Sequence, residues 1–294
     1  TKSGTISRSC WSMRQKKSIN NGALVSFRTT PDQCFINAPI LHLLEGELLS
    51  LFLKHRFQPE IGLEGNALYS KSKSDFQKIA HSLTDEGLSC TLHAPFFDLS
   101  PGALDPKIRA ATREKLQLAF ELIDIFKPQA VICHLNFESN KHGYKLEEWF
   151  AQAEETFRQL LAMAASHQTT LALENTYESE PSQHIRMMQA LDSPFAKICL
   201  DAGHMQAFAK CPWQDWLPAM PWVGHLHLHD NQGDTDTHQA IGHGNFDFPG
   251  FLNALTQHNV HPRITLEPHT DQDLWASLDA LAHLGVVDLR SNKK

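Results

Sequence analysis

Long apolar runs are missing from this chain of 294 residues. None approaches the ~18–20 residues that a membrane-spanning helix requires, so no membrane partner is expected. A secretory signal is missing too, because the first twenty residues, TKSGTISRSCWSMRQKKSIN, are polar and basic with no apolar core. An initiator Met is absent, which suggests a fragment or a processed start. Residues 1–21 read as a disordered or loosely attached tail outside the fold. None of the six cysteines (Cys10, Cys34, Cys90, Cys133, Cys199 and Cys211) forms a CxxC pair. Cys90, Cys133 and Cys199 sit in short apolar runs, which reads as buried free thiols in a reducing, cytoplasmic compartment. No excess of basic residues exists: the net charge of −7 gives no general reason to expect polyanion binding and leaves only a local basic groove open. No low-complexity linker or composition break divides residues 22–294, so one domain is expected.

Histidine is what the chain has in excess, 18 residues in 294. Five of them, with four aspartates, crowd into Val223–Phe248, VGHLHLHDNQGDTDTHQAIGHGNFDF. Solubility needs no such interleaving; metal ligation and proton transfer do.

The hydrophobic pattern says where this stretch lies. Eight short β-rich runs recur: ALVSF (23–27), EIGLE (60–64), LSCTLHA (88–94), AVICHL (130–135), TLALEN (170–175), KICLDA (197–202), GHLHLHD (224–230) and ITLEP (264–268). Helix-period segments lie between them, clearest at 106–126 and 145–167. In the first, Ile108, Ala111, Leu116, Ala119, Phe120 and Ile123 recur at helical spacing, with Asp105 as N-cap and Pro106 in the first turn. Eight strand–helix units in about 270 residues predict an α/β fold, a single (β/α)8 TIM barrel, with a doubly wound sheet as the alternative.

Six consecutive runs end in a metal-capable group: His93, His134, Glu174, Asp201 with His204 three residues on, the His225/His227/His229 triplet, and Glu267. In a parallel barrel these ends share the face that carries active sites. Period-2 geometry puts His225, His227 and His229 on one side of their strand, and spacing alone leaves open which of them binds metal. Asp236 and His238, two apart in the following loop, could present a carboxylate and an imidazole together. Specificity is expected from the loop NFESNKHGYK (136–145) and from Phe96, Phe97 and Trp213, the two phenylalanines also fitting the core.

The ordered pieces LHAPF, LEN, CLDAGH, HLHDN followed by D-T-H, IGHGNFDF and LEP resemble the xylose isomerase-like TIM-barrel superfamily, also called AP endonuclease family 2, from about Leu24 to Leu284. The resemblance implies two chemistries. One is a divalent-metal-dependent sugar or sugar-phosphate isomerase or epimerase with one ion (Mn, Mg or Co) at Glu174, Asp201, His227 and Glu267; EIGLEG at the second run also looks like this branch. There Glu174 and Glu267 would exchange a proton through an enediolate, and His204 would stabilise oxyanion charge. The other is a zinc phosphodiesterase of the endonuclease IV type acting on abasic-site DNA. It would use up to three ions on His93, His134, Glu174, Asp201, His204, His227, Asp236, His238 and Glu267. The resemblance singles out His227 because it precedes Asp230 in H-L-H-D, and it raises a homodimer as one assembly. Two departures stand out: GALVSFRTT, read as the first strand, lacks the histidine of the endonuclease G-x-H-x-S motif, and Gly242-His243-Gly244 replaces G-E-G. With the first, and with no lysine- or arginine-rich loop, the sequence favours the isomerase over the nuclease.

Overall fold

The computed structural model describes residues 25–287 apart from 64, 65 and 210. The expected tail at 1–21 lies outside them. Eight parallel strands close into one barrel in chain order: β1 Cys34–Pro39, β2 Gln58–Gly62, β3 Thr91–His93, β4 Ala130–His134, β5 Thr170–Glu174, β6 Ala196–Asp201, β7 Val223–Leu228 and β8 Arg263–Leu266. The single (β/α)8 barrel is therefore correct. β1 closes the ring by pairing with both β2 and β8.

The first strand is not where the pattern put it. In ALVSF, Val25 and Phe27 are buried, which produced the alternating signal. Their backbone instead runs beside residues 284–287: Val25 N donates to Leu284 O, and Thr29 bridges Val287. A half-buried extended segment and a barrel strand have the same period, and only partner strands tell them apart. The actual β1, CFINAP, also carries no histidine.

Helices follow the strands and bury their inner stripes on the barrel wall. Asp105 caps the helix Pro106–Glu121, its carboxylate accepting from Lys107 N and Ile108 N. That helix breaks at Leu122 before a second turn, Ile123–Phe126. Its buried stripe is Thr112, Leu116, Ala119 and Phe120; Ile108 and Ala111 are exposed, because the first turns project past the wall to the barrel mouth. The second expected helix runs Leu146–Ser166. Among the described residues no helix is long and apolar enough to cross a membrane.

The barrel interior is layered, as alternation along eight tilted strands requires. At the lower end Arg263 Nε donates to Gln129 Oε1 (2.7 Å), and Gln129 donates to Ser89 Oγ (2.8 Å). Above it Glu60 Oε2 accepts from Thr91 (2.9 Å) and Thr265 (2.8 Å), opposite a small apolar group of Ala130, Ile132, Ala172 and Cys199. The third layer, at the strand C-termini, is the acidic and imidazole cluster. Cys90, Cys133 and Cys199 are free and buried, and burial pushes the Cys90 thiol up to about 12.

Candidate active site

The strand ends deliver their side chains to one buried pocket. Glu174, from β5, stands at its centre. Glu174 Oε2 lies 3.0 Å from His93 Nε2 and 3.3 Å from His134 Nε2; Glu174 Oε1 lies 3.2 Å from His204 Nδ1 and 3.3 Å from His227 Nδ1. Glu267, the residue after β8, brings Oε1 to 3.2 Å from the same His227 Nδ1. Asp201 sits below, 3.7 Å from that nitrogen and 3.1 Å from His229 Nε2. Asp236 faces His204 Nε2 at 3.2 Å and His238 Nε2 at 3.1 Å. All nine residues expected from the sequence are thus brought together.

The backbone fixes which nitrogen of three rings can take part. A carbonyl only accepts, so the nitrogen facing it carries the proton. His93 Nδ1–H donates to Ala94 O (2.9 Å), His204 Nδ1–H to Asn175 O (2.9 Å) and His238 Nδ1–H to Glu267 O (3.0 Å). Each leaves Nε2 directed at a carboxylate, the outer-sphere anchoring that orients metal-ligating imidazoles. Without an ion those rings must be protonated. Burial opposes a charge on His93, but the hydrogen bond and charge of Glu174 overcome it and hold the ring at about 8. His238 is likewise opposed by burial and held by Asp236 at about 9. Burial would raise Glu174, yet the charge of His227 and the ring of His134 keep its carboxyl well below the usual range. His134 itself is lowered by burial.

Geometry fits a divalent ion. Both ring nitrogens of His227 are buried with no aligned hydrogen bond, as is Asp236 Oδ1, although carboxylate oxygens lie close by. His227 Nδ1 thus offers its lone pair among the carboxylates of Glu174 and Glu267, while Nε2 faces Glu60 behind the ring. Separations near 3.0–3.4 Å are about what ligand atoms show when bonds of roughly 2.1 Å meet at one ion. Donor atoms come within 4.8 Å of one another in five groups, among them Glu174, Asp201 and His227; His93, His134 and Glu174; and His204, His229, Asp236 and His238.

Residues 59–284 match the family model described as xylose isomerase-like TIM barrel. The chain belongs to that family. Two uncharacterized proteins of Methanocaldococcus jannaschii are similar, one 26% identical over 76% of this chain and 87% of its own length, the other 24% identical over 69% and 72%. Among solved structures, a D-tagatose 3-epimerase-like protein superposes with a TM-score of 0.73 at 22% identity, covering 85% of this chain and 96% of its own. A Thermus thermophilus protein soaked with ZnCl2 gives 0.73 at 21% identity, over 86% and 97%. A Methylomonas D-allulose 3-epimerase in complex with D-allulose gives 0.66 at 16% identity, over 88% and 96%.

Within this family barrel the chain has residues that sequence reasoning missed. Glu60 is fully buried, and its Oε1 lies 2.8 Å from His227 Nε2, behind the ring. The signal was its place inside β2, two residues from the strand end, which a misjudged strand boundary concealed. His229, which the strand spacing had left open beside His225 and His227, lies within reach of His204, Asp236 and His238; its ring stacks on His238 (3.8 Å between centroids, 3° apart), and His238 stacks on His269 (4.2 Å). Gly203 makes room for it, since a Cβ there would overlap the His229 ring. His225 is one layer too deep; Thr265 Oγ1 donates to Glu60 and so accepts from His225 Nε2–H (2.8 Å). Phe96 and Phe97 line the cavity above the site, as do Asn136 and Tyr144 of the 136–145 loop. Trp213 does not; it packs on Phe251.

Proposed function

We propose that the protein is a divalent-metal-dependent sugar epimerase or isomerase that moves a proton between Glu174 and Glu267. The observation that carries this reading is the convergence of two carboxylates, from strands three apart, on one buried nitrogen of His227. The names of its structural neighbours, sugar 3-epimerases among them, support the same class. Glu174, Asp201, His227 and Glu267 would hold one ion, and a mixed carboxylate and imidazole set suits zinc, manganese, magnesium or cobalt. A divalent ion so bound polarises a ketose carbonyl and the hydroxyl beside it.

The side chains do the rest. Glu174 is held ionised, the state a base needs, and takes the α-proton from one face of the sugar. The C–H electrons pass to the carbonyl oxygen, giving an enediolate. Glu267, on the other side and carrying a proton while Glu174 is ionised, gives that proton to the same carbon as the carbonyl reforms. Epimerisation thus leaves the two carboxyls with their protonation exchanged. For isomerisation the proton goes to the neighbouring carbon, and the hydroxyl proton of the first carbon passes to the former carbonyl oxygen. His204, anchored on Asn175 O, faces the developing oxyanion. In D2O, metal-loaded protein should exchange the α-proton of a ketose. Glu174→Gln and Glu267→Gln should each slow exchange by roughly 10²–10⁴. No exchange on any ketose or ketose phosphate sinks the reading.

A second reading rests on His134, Asp236 and His238, which complete two metal-competent groups beyond the four-residue set. They suit a zinc phosphodiesterase of the endonuclease IV type. Two or three zinc equivalents per chain by elemental analysis, with cleavage of abasic-site duplex DNA, would favour it. One exchangeable equivalent and intact DNA would remove it.

A further inference from the structure

Above the acidic cluster the barrel mouth opens into a cavity of about 1320 Å³. Pockets that enclose a drug-sized ligand run to roughly 300–1,000 Å³, and a free monosaccharide is smaller than such a ligand. The acidic and imidazole cluster that would hold the reacting carbonyl lies at the floor. The upper wall is different: Phe97 is 68% exposed, Tyr144 82% and Tyr177 55%, with Leu104 and Ile108 about half exposed beside them. Phe97, Leu104, Tyr144 and Tyr177 come from three separate strand-to-helix connections and Ile108 from the first turn of the helix Pro106–Glu121, and all line one continuous space with Glu174 and Glu267. Phe97 is held at 4.5 Å from Phe96, which stacks on His134, so the aromatic wall runs from the mouth down to the candidate ligands.

Charge disfavours an anion at this wall. Among the described residues lining the cavity, Lys141 and Lys145 are the only lysines or arginines. Lys141 pairs with Glu138 at 3.5 Å, and Lys145 pairs with Glu148. Asp98, Asp105 and Asp271 line the same rim. A phosphate there would meet carboxylates and neutralised cations.

We infer that the mouth is a second subsite for a ring with an apolar face, and that the substrate is an uncharged sugar carrying such a ring as a substituent. This rests on the proton-transfer reading of the floor. Aromatic faces at the mouth would hold the second ring, an aryl group or another sugar, while the floor takes the reacting carbonyl. The catalytic step is unchanged.

The test compares α-proton exchange in D2O by the metal-loaded full chain on four compounds. They are a free ketohexose, its 6-phosphate, a ketose disaccharide and a ketohexose with a 6-O-aryl group. One or both ring-bearing compounds should exceed the free sugar at least tenfold in kcat/KM, with the phosphate below it. In the Phe97→Ser/Tyr144→Ser double variant the ratio of ring-bearing to free sugar should fall toward one. A wild-type ratio near one, preference for the phosphate, or a ratio the variant leaves intact overturns the subsite. So does a wild-type dimer that the double variant dissociates, because a second copy would then cover the rim. If no compound exchanges, the floor chemistry has failed and the mouth is still tested. Calorimetric titration of the metal-free protein with a non-reacting aryl glucoside should then show saturable binding, weakened at least tenfold in the variant. No binding overturns it.

Discussion

His227 illustrates how one side chain is built from both sides. Its Nδ1 faces Glu174, Asp201 and Glu267, and its Nε2 faces Glu60. A carboxylate behind a ligating imidazole fixes the ring and raises its basicity, and losing such a partner typically lowers metal affinity about 10–100-fold. Glu60→Gln keeps the volume and can still bond Thr91 and Thr265. It should therefore fold and bind zinc or manganese about 10–100-fold more weakly, measured by calorimetry on chelator-stripped protein. A dissociation constant within threefold of wild type would make Glu60 merely a filler of the barrel floor. His238 shows a second kind of constraint. Its φ of +48° is in the left-handed region, a conformation that costs about 1–3 kcal/mol in a residue with a Cβ and persists where surroundings impose it. Here the Glu267 carbonyl and the Asp236 carboxylate hold the ring.

Elements explain what was legible. The six polar strand ends could be read because a parallel barrel gives every strand the same direction, so position in a run translates into position in space. β1 could not be read, since PDQCFINAP is short and broken by prolines at both ends, and ALVSF offered a cleaner alternation. Glu60 was hidden by a two-residue error in the bounds of β2, which is enough to move a residue from rim to interior layer. The loop after β7 is a subtler case. Asp230 is one residue of H-L-H-D, and nothing in sequence says that its carboxylate gathers four backbone N–H groups. Its Oδ2 accepts from Gly242 (3.0 Å) and Gly244 (2.9 Å), its Oδ1 from Asn231 (2.9 Å) and Phe246 (3.2 Å). A bridge from Asp230 to Gln239 pins the residue after His238. Gly244 must be glycine because a Cβ would overlap Asn231 O. Asp230→Asn leaves one acceptor oxygen where two served, so two backbone N–H groups of the loop lose their partner. It should cost about 2–3 kcal/mol in urea denaturation. Amide exchange should rise across 242–246, and any metal held through Asp236 and His238 should be lost first. Unchanged exchange there would show that the loop is held by its other contacts.

At the scale of the whole molecule the site is a store of opposed charges, and its stability depends on pH in opposite senses with and without metal. In metal-free protein Glu60, Glu174, Asp201 and Asp236 are all held below their ordinary range by the imidazoles around them, against the burial that would raise them. Their contribution is present above the unfolded carboxylate value near 4 and is lost as pH falls. His93 and His238 are raised to about 8 and about 9, so their contribution is complete below 6.5 and is lost as pH climbs through those values. For His93 alone the rise corresponds to about 2 kcal/mol. Burial lowers His134, His184 and His225, so charging them costs stability as pH falls below 6.5. Chelator-treated protein should thus be most stable near pH 6.5, with its melting temperature falling from pH 6.5 to 9. Metal reverses the basic limb. A ligating imidazole must be neutral, so binding at pH 7 should expel protons from rings that hold them in the metal-free state. Calorimetry in buffers of different ionisation enthalpy should show at least one proton released per ion. Affinity should rise from pH 6 to 9, and the metal-loaded protein should no longer lose stability over that range. Binding with no proton release would mean that the imidazoles are already neutral in the metal-free protein, and the basic limb of its stability curve would then have to be flat.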